Sequence, residues 1–324
     1  MIQSGEISMD DPRRFFRIET VSLAALLILL AAGNFLWLRE NKTPPSWDQS
    51  AHVSYCLDFH DLFQGQPAAE GDGRGFRGRL LTTSTYWPPF FHLSTVPLTL
   101  LFGFSPNTVT ATHIFYLVLL AFSVYVIGRH FLTPGLGAAA AALTLFYPII
   151  FGLSRTQLID LPLTAMVSLV QALILKTGAG TRWRKAWMLG LAAGLCLLTK
   201  WTGPVFFGAT FLLVFFPSWK KKEASRTSMV LSILSMAGFA ALVSVPWFLE
   251  NWTEFSRRMG AINTADAIRL GSPKPFSPQA FLWYGKEIVQ SLLTWPLLPF
   301  LILSAANGFF RARLKELLHV AESS

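Results

Sequence analysis

Apolar runs close to the ~20 residues that cross a ~30 Å hydrocarbon core recur along almost the whole chain. They fall at roughly 18–38, 108–128, 136–153, 161–177, 186–200, 203–217, 229–249 and 292–310. The polar residues between them gather in short connections, apart from two longer stretches at about 39–106 and 250–291. This pattern predicts an all-α fold, a polytopic transmembrane helical bundle of about eight spans that satisfies its backbone polar groups within each helix. Residues 1–324 read as a single transmembrane domain. The first apolar run is too long for a signal-peptide core and is followed by Arg39 and Glu40, which predicts an uncleaved anchor.

A further apolar stretch, Pro88 to Gly103, decides the topology. As a helix it would reach only about 24 Å at 1.5 Å per residue. It opens on two prolines, holds His92 and carries Pro97, so it predicts a helix lying at the membrane interface rather than a span. With the N-terminus (Arg13, Arg14, Arg17) in the cytoplasm and 88–103 not crossing, the later basic loops all fall inside. These carry Arg129; Arg182, Arg184 and Lys185; Lys220 to Lys222 with Arg226; and Arg311, Arg313 and Lys315. Every short basic loop then obeys the positive-inside rule. Asp48, Asp160, Lys200 and the 250–291 loop share the outer face.

Composition agrees with the pattern. Hydrophobic residues make up 52% of the 324 and charged residues 14%, against about 25% charged in soluble domains. The net charge of +9 sits in short loops, so it argues for topology and not for a nucleic-acid partner. Of the two cysteines, Cys196 lies in an expected span and Cys56 in the first loop, so no disulfide is expected between them.

The first external loop is too long for a mere connector. In WDQSAHVSYCLDFHDLF, Asp48, His52 and Tyr55 are spaced i, i+4, i+7, which puts them on one face of a helix, with Phe59 and Leu62 extending its apolar part. Two readings stand for Asp48: a general base or acceptor-binding carboxylate, and a helix-capping aspartate after Pro44-Pro45-Ser46-Trp47. His52, His60 and Asp61 are the candidate metal ligands, but they form no tight ligand pattern and no divalent cofactor is favoured. The Gly-rich stretch 64–79 reads as a mobile polar segment, and its glycines lack the strand and GK[ST] of a phosphate loop.

Arg155 and Asp160 bracket the turn between the third and fourth spans. Charges at membrane depth default to function; the alternative is a salt bridge between the two that seals the turn. Lys200 ends the fifth span, where it either snorkels to headgroups or meets an anionic partner.

Taken in order, these segments resemble the polyprenyl-phosphate-sugar glycosyltransferases of the GT-C fold, in particular the protein O-mannosyltransferases and the bacterial aminoarabinose and RgtA-like transferases. WDQSAH is similar to that family's first-loop WDE-type motif, and YWPPFFHLSTVPLTLLFG to its PPL…LFG interfacial helix. RTQLIDLPLT is similar to its R…D-P-L-T turn, GLAAGLCLLTKWTGP to its G-L-x-x-L-T-K-G helix, and the Pro246-Trp247 of VPWF to the P-W that closes a later span. The resemblance implies transfer of a sugar from a polyprenyl-phosphate donor to a hydroxyl of a lipid, glycan or protein acceptor, with inversion. It implies a multi-pass protein among the lipids of a bacterial inner (plasma) membrane, with its active site on the periplasmic or extracellular side. It makes Asp48 the catalytic residue, acting at the acceptor. Gln49, His52, Tyr86, His92, Arg155, Asp160 and Lys200 become substrate-binding residues, with Lys200 and Arg155 near the lipid phosphate. Gln49 stands where many relatives have Glu, which removes one carboxylate. The family usually continues with more spans, so the C-terminal part of its architecture is expected to be absent.

Two rival classes stay open. A transporter or flippase would favour charges at the bilayer midplane and a repeated architecture, whereas here the charges sit at span ends and no repeat is visible. A non-catalytic membrane subunit would keep the fold without the chemistry, and Gln49 keeps that reading in play.

Overall fold

A computed structural model describes residues 18–67, 73–178, 183–220, 225–261, 271, 273–274, 277–288 and 290. The described residues form helices and connections and contain no strand. In chain order the helices are α1 (Ile18–Glu40), α2 (Asp48–Phe63), α3 (Phe76–Thr82), α4 (Phe90–Phe102), α5 (Pro106–Ala111), α6 (His113–Phe131) and α7 (Pro134–Leu145). There follow α8 (Pro148–Leu153), α9 (Asp160–Thr177), α10 (Trp183–Thr199), α11 (Gly203–Lys220), α12 (Arg226–Ala261) and α13 (Pro278–Glu287). The polytopic helical class expected from the sequence is what the chain adopts. Among the described residues four stretches are long and apolar enough to cross a membrane: Glu19–Glu40, Pro106–Phe131, Asp160–Thr177 and Arg226–Arg258. Phe90–Phe102, Pro134–Leu145, Lys185–Thr199 and Gly203–Pro217 are shorter apolar helices. The expected eighth span at 292–310, and Arg13, Arg14, Arg17, Arg182, Lys221, Lys222, Arg311, Arg313 and Lys315, lie outside the described residues.

The chain divides into two compact units, Met1–Phe255 and Ser256–Ser324. In the first, α9 is the central element. It packs on α6, α10 and α11, and α6 packs in turn on α7. Leu161, Ala165, Met166, Val170 and Ile174 of α9 are buried with Tyr116, Leu117, Leu120 and Ala121 of α6 and Leu189 and Cys196 of α10. Polar side chains inside this bundle bond to the carbonyl one turn back, as Ser123 does to Leu119, Thr177 to Leu173 and Thr199 to Leu195. The α9 helix stops at Gly178, whose left-handed φ of 58° suits a residue without Cβ.

Glycine sets two close helix contacts. A Cβ on Gly128 would lie 2.8 Å from the Cα of Gly137, which closes the α6–α7 hairpin. A Cβ on Gly190 would lie 2.3 Å from the Met236 carbonyl oxygen, and one on Gly194 2.9 Å from that of Ala240. Four residues apart, Gly190 and Gly194 form a small-xxx-small face that lets α10 and α12 touch backbone to backbone.

The first loop carries a helix pair. The expected amphipathic helix is α2, and its inner face buries His52, Cys56, Phe59 and Leu62. It packs on α4, where Phe59 and Leu62 meet Val96 and His60 Nδ1 pairs with Thr99 Oγ1 at 3.1 Å. At 13 residues, α4 is about 20 Å long.

Three expectations need correction. The span expected at 136–153 is two helices, because Pro148 has no N–H and holds Tyr147 extended at ψ 130°. The loop expected from residue 250 begins as helix: α12 runs 36 residues to Ala261 despite Pro246 inside it, and α13 adds a second helix. In α12, Phe248, Trp252 and Phe255 keep apolar residues coming at helical spacing past the apolar run. Within the supposed mobile stretch 64–79, Phe76 opens α3 and its ring meets Phe63 edge-on at 5.4 Å. In the second unit, described residues include the end of α12 and α13, which exposes Phe281, Leu282 and Tyr284.

Candidate active site

The site is built from the N-terminal end of α2, the bend 83–89, the turn 154–159 and the α10–α11 turn. Trp47 precedes α2 with φ 50° and ψ −129°, a conformation that disfavours residues with a Cβ. Its carbonyl accepts from Ser50 Oγ at 2.6 Å and from the Ser50 and Ala51 amides at 3.0 and 3.4 Å. Its indole is 83% exposed. Asp48 is thus the first helical residue and not the cap, which corrects the capping alternative. Its side chain is exposed and makes no hydrogen bond or ion pair among the described residues.

Gln49 ties this end of α2 to the turn, since its Oε1 accepts the Gln157 amide at 3.3 Å. Gln157 in turn donates through Nε2 to Thr110 Oγ1 at 2.6 Å. The turn carries Arg155 at one end and leads into Asp160 at the other. The two charges do not pair with each other, contrary to the sealing salt bridge held as an alternative. Asp160 Oδ1 accepts from Lys200 Nζ at 3.0 Å, across 40 residues of chain. Asp160 opens α9 and Lys200 follows the end of α10, so each charge also complements its helix dipole. The pair stays partly exposed, at 44% and 24% of the two side chains. Lys200 therefore has an anionic partner in the protein itself.

Arg155 turns the other way. Its Nε donates to Asn34 Oδ1 at 2.9 Å, and its guanidinium lies 3.9 Å from the Phe151 ring centre and 5.4 Å from that of Trp37.

His52 lies one turn along α2 from Asp48. Its Nδ1 meets His92 Nε2 at 3.1 Å, and its ring lies 5.1 Å from Trp87. Tyr86 packs behind, 4.7 Å from Trp87. Burial pushes the His52 imidazole down to about 4; nearby Asp160 opposes this, while Lys200 and His113 add to it. Burial likewise holds His92 well below the usual histidine range, and His52 adds to that. Both imidazoles are neutral near pH 7, so one ring donates and the other accepts. Of the metal-ligand candidates, His52 is engaged by His92 and His60 by Thr99. Among the described residues no three His, Cys, Asp or Glu side chains come together to hold a metal.

The histidine pair makes stability pH-dependent. An imidazole with a folded pKa below its unfolded value of about 6.5 leaves the unfolded chain holding more protons between the two values, so stability rises with pH there. The His52 contribution is complete above about pH 6.5 and is lost as pH falls towards about 4, and His92, also held below the usual range, acts in the same direction. The slope is about 1.4 kcal/mol per pH unit for each proton taken up. The detergent-solubilised protein is expected to melt at lower temperature at pH 5 than at pH 7. The His52→Gln/His92→Gln variant is expected to show a shallower dependence; an unchanged slope would remove the pair as its cause.

The sequence reading missed two supports. Asn34, an amide inside the first apolar run, was a readable signal because polar groups there need partners. Trp247 and Asn251 reach back to the bend before the PPFFH segment: Trp247 Nε1 donates to the Ser84 carbonyl at 2.7 Å, and Asn251 Nδ2 to that of Leu81 at 2.8 Å. Ser84 Oγ also donates to the Trp87 carbonyl. Trp201, next to Lys200, and Trp247 both contact Phe255, with ring centres 6.2 and 6.3 Å away.

Residues 87–247 match the family described as dolichyl-phosphate-mannose-protein mannosyltransferase. The match bears out the resemblance drawn from the motifs, and it supports a membrane glycosyltransferase that uses a polyprenyl-phosphate sugar. It contains His92, Arg155, Asp160, Lys200 and Trp247, and begins after Asp48, Gln49, His52 and Tyr86. No curated protein and no solved structure matches the chain.

Proposed function

From the family match over residues 87–247, we propose that the protein transfers a sugar from a polyprenyl-phosphate donor to an acceptor hydroxyl on the outer face of the membrane, with inversion. The acceptor oxygen attacks the anomeric carbon and its proton passes to Asp48. The bond from that carbon to the phosphate oxygen breaks, and polyprenyl phosphate leaves with the electron pair. Direct displacement needs one base and no covalent intermediate. Cations meet the charge that develops on the leaving phosphate. A lysine ammonium has three N–H donors; Asp160 engages one in Lys200, which leaves two for the phosphate.

The observation that carries this reading is the Gln49–Gln157 link. It joins the exposed carboxylate of Asp48 to the turn that bears Arg155 and leads to the Asp160–Lys200 pair. The base and the cations thus belong to one framework. The test is to incubate purified protein with labelled polyprenyl-phosphate sugars covering hexoses, pentoses and amino sugars. Release of polyprenyl phosphate with label in an acceptor is expected, and consumption of none of the donors would overturn the reading.

The outer-face assignment rests on the basic loops and has its own check. In a cysteine-less background, a membrane-impermeant thiol reagent is expected to label a Gly73→Cys variant in sealed cells and to leave Lys221→Cys unlabelled. The reverse pattern would invert the topology.

A further inference from the structure

We infer that Asn34 is a positioning residue, which aims the Arg155 guanidinium so that its open edge receives the phosphate of the lipid donor. The inference deepens the function proposed above and rests on it.

Asn34 is 2% exposed within a helix that is otherwise nearly all hydrocarbon. A buried amide is costly unless both its ends are bonded. Here they are: Nδ2 donates to Ser154 Oγ at 2.9 Å and Oδ1 accepts from Arg155 Nε at 2.9 Å. The amide cannot be turned around. Ser154 Oγ gives its hydrogen to the Phe151 carbonyl at 2.8 Å, so towards Asn34 it can only accept. Arg155 Nε carries a hydrogen and can only donate.

The amide therefore fixes one edge of the guanidinium. The rings of Phe151 and Trp37 hold its plane, and Trp37 lies three residues from Asn34 on the same face of α1. Five N–H donors belong to a guanidinium, and the four on its two terminal nitrogens find no partner among the described residues. A rigid fork with its outer edge open matches two oxygens of a phosphate. Lys200 already has Asp160 beside it, whereas no acidic group pairs with Arg155 among the described residues. Arg155 is thus a cation with no carboxylate paired to it among the described residues, and Asn34 decides where its charge points.

The test uses the full chain in detergent and a short polyprenyl phosphate as probe, with uncharged polyprenol, inorganic phosphate and phosphatidylglycerol as comparisons. Wild type is expected to prefer the polyprenyl phosphate over all three. Asn34→Asp keeps an acceptor for Arg155 Nε but adds a carboxylate that neutralises the fork. Ser154 Oγ must then turn its hydrogen from the Phe151 carbonyl to the new carboxylate, and the protein that remains folded and monodisperse is expected to bind the probe roughly ten- to a hundredfold more weakly, the range of one charge-assisted bond. Arg155→Lys, which keeps charge without the fork, is expected to lose a similar factor. A role confined to holding α1 against the turn predicts wild-type binding in Asn34→Asp. Unchanged binding in a folded Asn34→Asp protein overturns the inference and leaves the proposed function standing. Failure of wild type to prefer polyprenyl phosphate over polyprenol overturns both. Equal competition by phosphatidylglycerol would make the fork a general lipid anchor and overturn its assignment to the donor.

Discussion

Asp48→Asn is expected to lower turnover by about 10²–10⁴-fold, the contribution of a positioned general base, while donor binding and folded yield stay close to wild type. The amide keeps the size of the side chain but cannot take the proton of the acceptor hydroxyl. Folding should not suffer, because Asp48 is the first helical residue and the first turn of α2 is anchored through the Trp47 carbonyl. Losing its charge beside the helix dipole costs about 0.3–1 kcal/mol at an exposed position. Donor binding should hold because the carboxylate is assigned to the acceptor side. Single-turnover transfer measured on monodisperse protein checks this, and transfer at a near-normal rate would remove Asp48 from the mechanism.

Among the described glycines, Gly190→Ala is expected to be the most damaging substitution by alanine. The new Cβ would stand 2.3 Å from the Met236 carbonyl oxygen and 2.8 Å from the Met236 Cα. Both are backbone atoms of α12, so no side chain can swing aside and the helices must separate. Overpacking of this kind typically costs about 1–3 kcal/mol and sometimes more. Gly208→Ala is the control. It also lies within a helix, but a Cβ there meets nothing within 4 Å, and alanine favours helix by up to about 1 kcal/mol. Melting temperature in detergent should therefore fall for Gly190→Ala and hold or rise for Gly208→Ala. Equal melting temperatures would mean that α10 and α12 do not meet as described.

The two variants probe parts of the molecule that differ in how openly the sequence declares them. Helix positions were legible because hydrocarbon must be buried in runs of fixed length, and α2 was legible from the period of His52, Tyr55, Phe59 and Leu62. The break at Tyr147–Pro148 was hidden by apolar residues on both sides of it, since hydropathy registers neither a missing N–H nor an extended ψ. The helix beyond residue 250 was hidden for the opposite reason: its polar residues looked like a loop, although its aromatic residues kept helical spacing. At the site, the charged residues announced themselves at span ends but their partners did not. Asp160 chooses Lys200, just past the end of α10, over Arg155 nearby in sequence, because chain folding sets which helix ends are neighbours. The match of Arg155 to an amide in α1 was equally out of reach of local spacing.

The bonds from Trp247 and Asn251 to the bend at Ser84 and to Leu81 at the end of α3 bear on the order in which the protein comes together during synthesis. They close loops of 163 and 170 residues. The bend that leads into the PPFFH segment thus waits for a stretch of chain made much later. A ribosome that has just produced the first loop has produced no clamp for it. The bonds that Trp247 and Asn251 give to the Ser84 and Leu81 carbonyls can form only once α12 has been made. Nascent chains halted before residue 247 would carry Asp48, Arg155, Asp160 and Lys200 and still lack the hold on that bend. This part of the fold would then be completed late in synthesis.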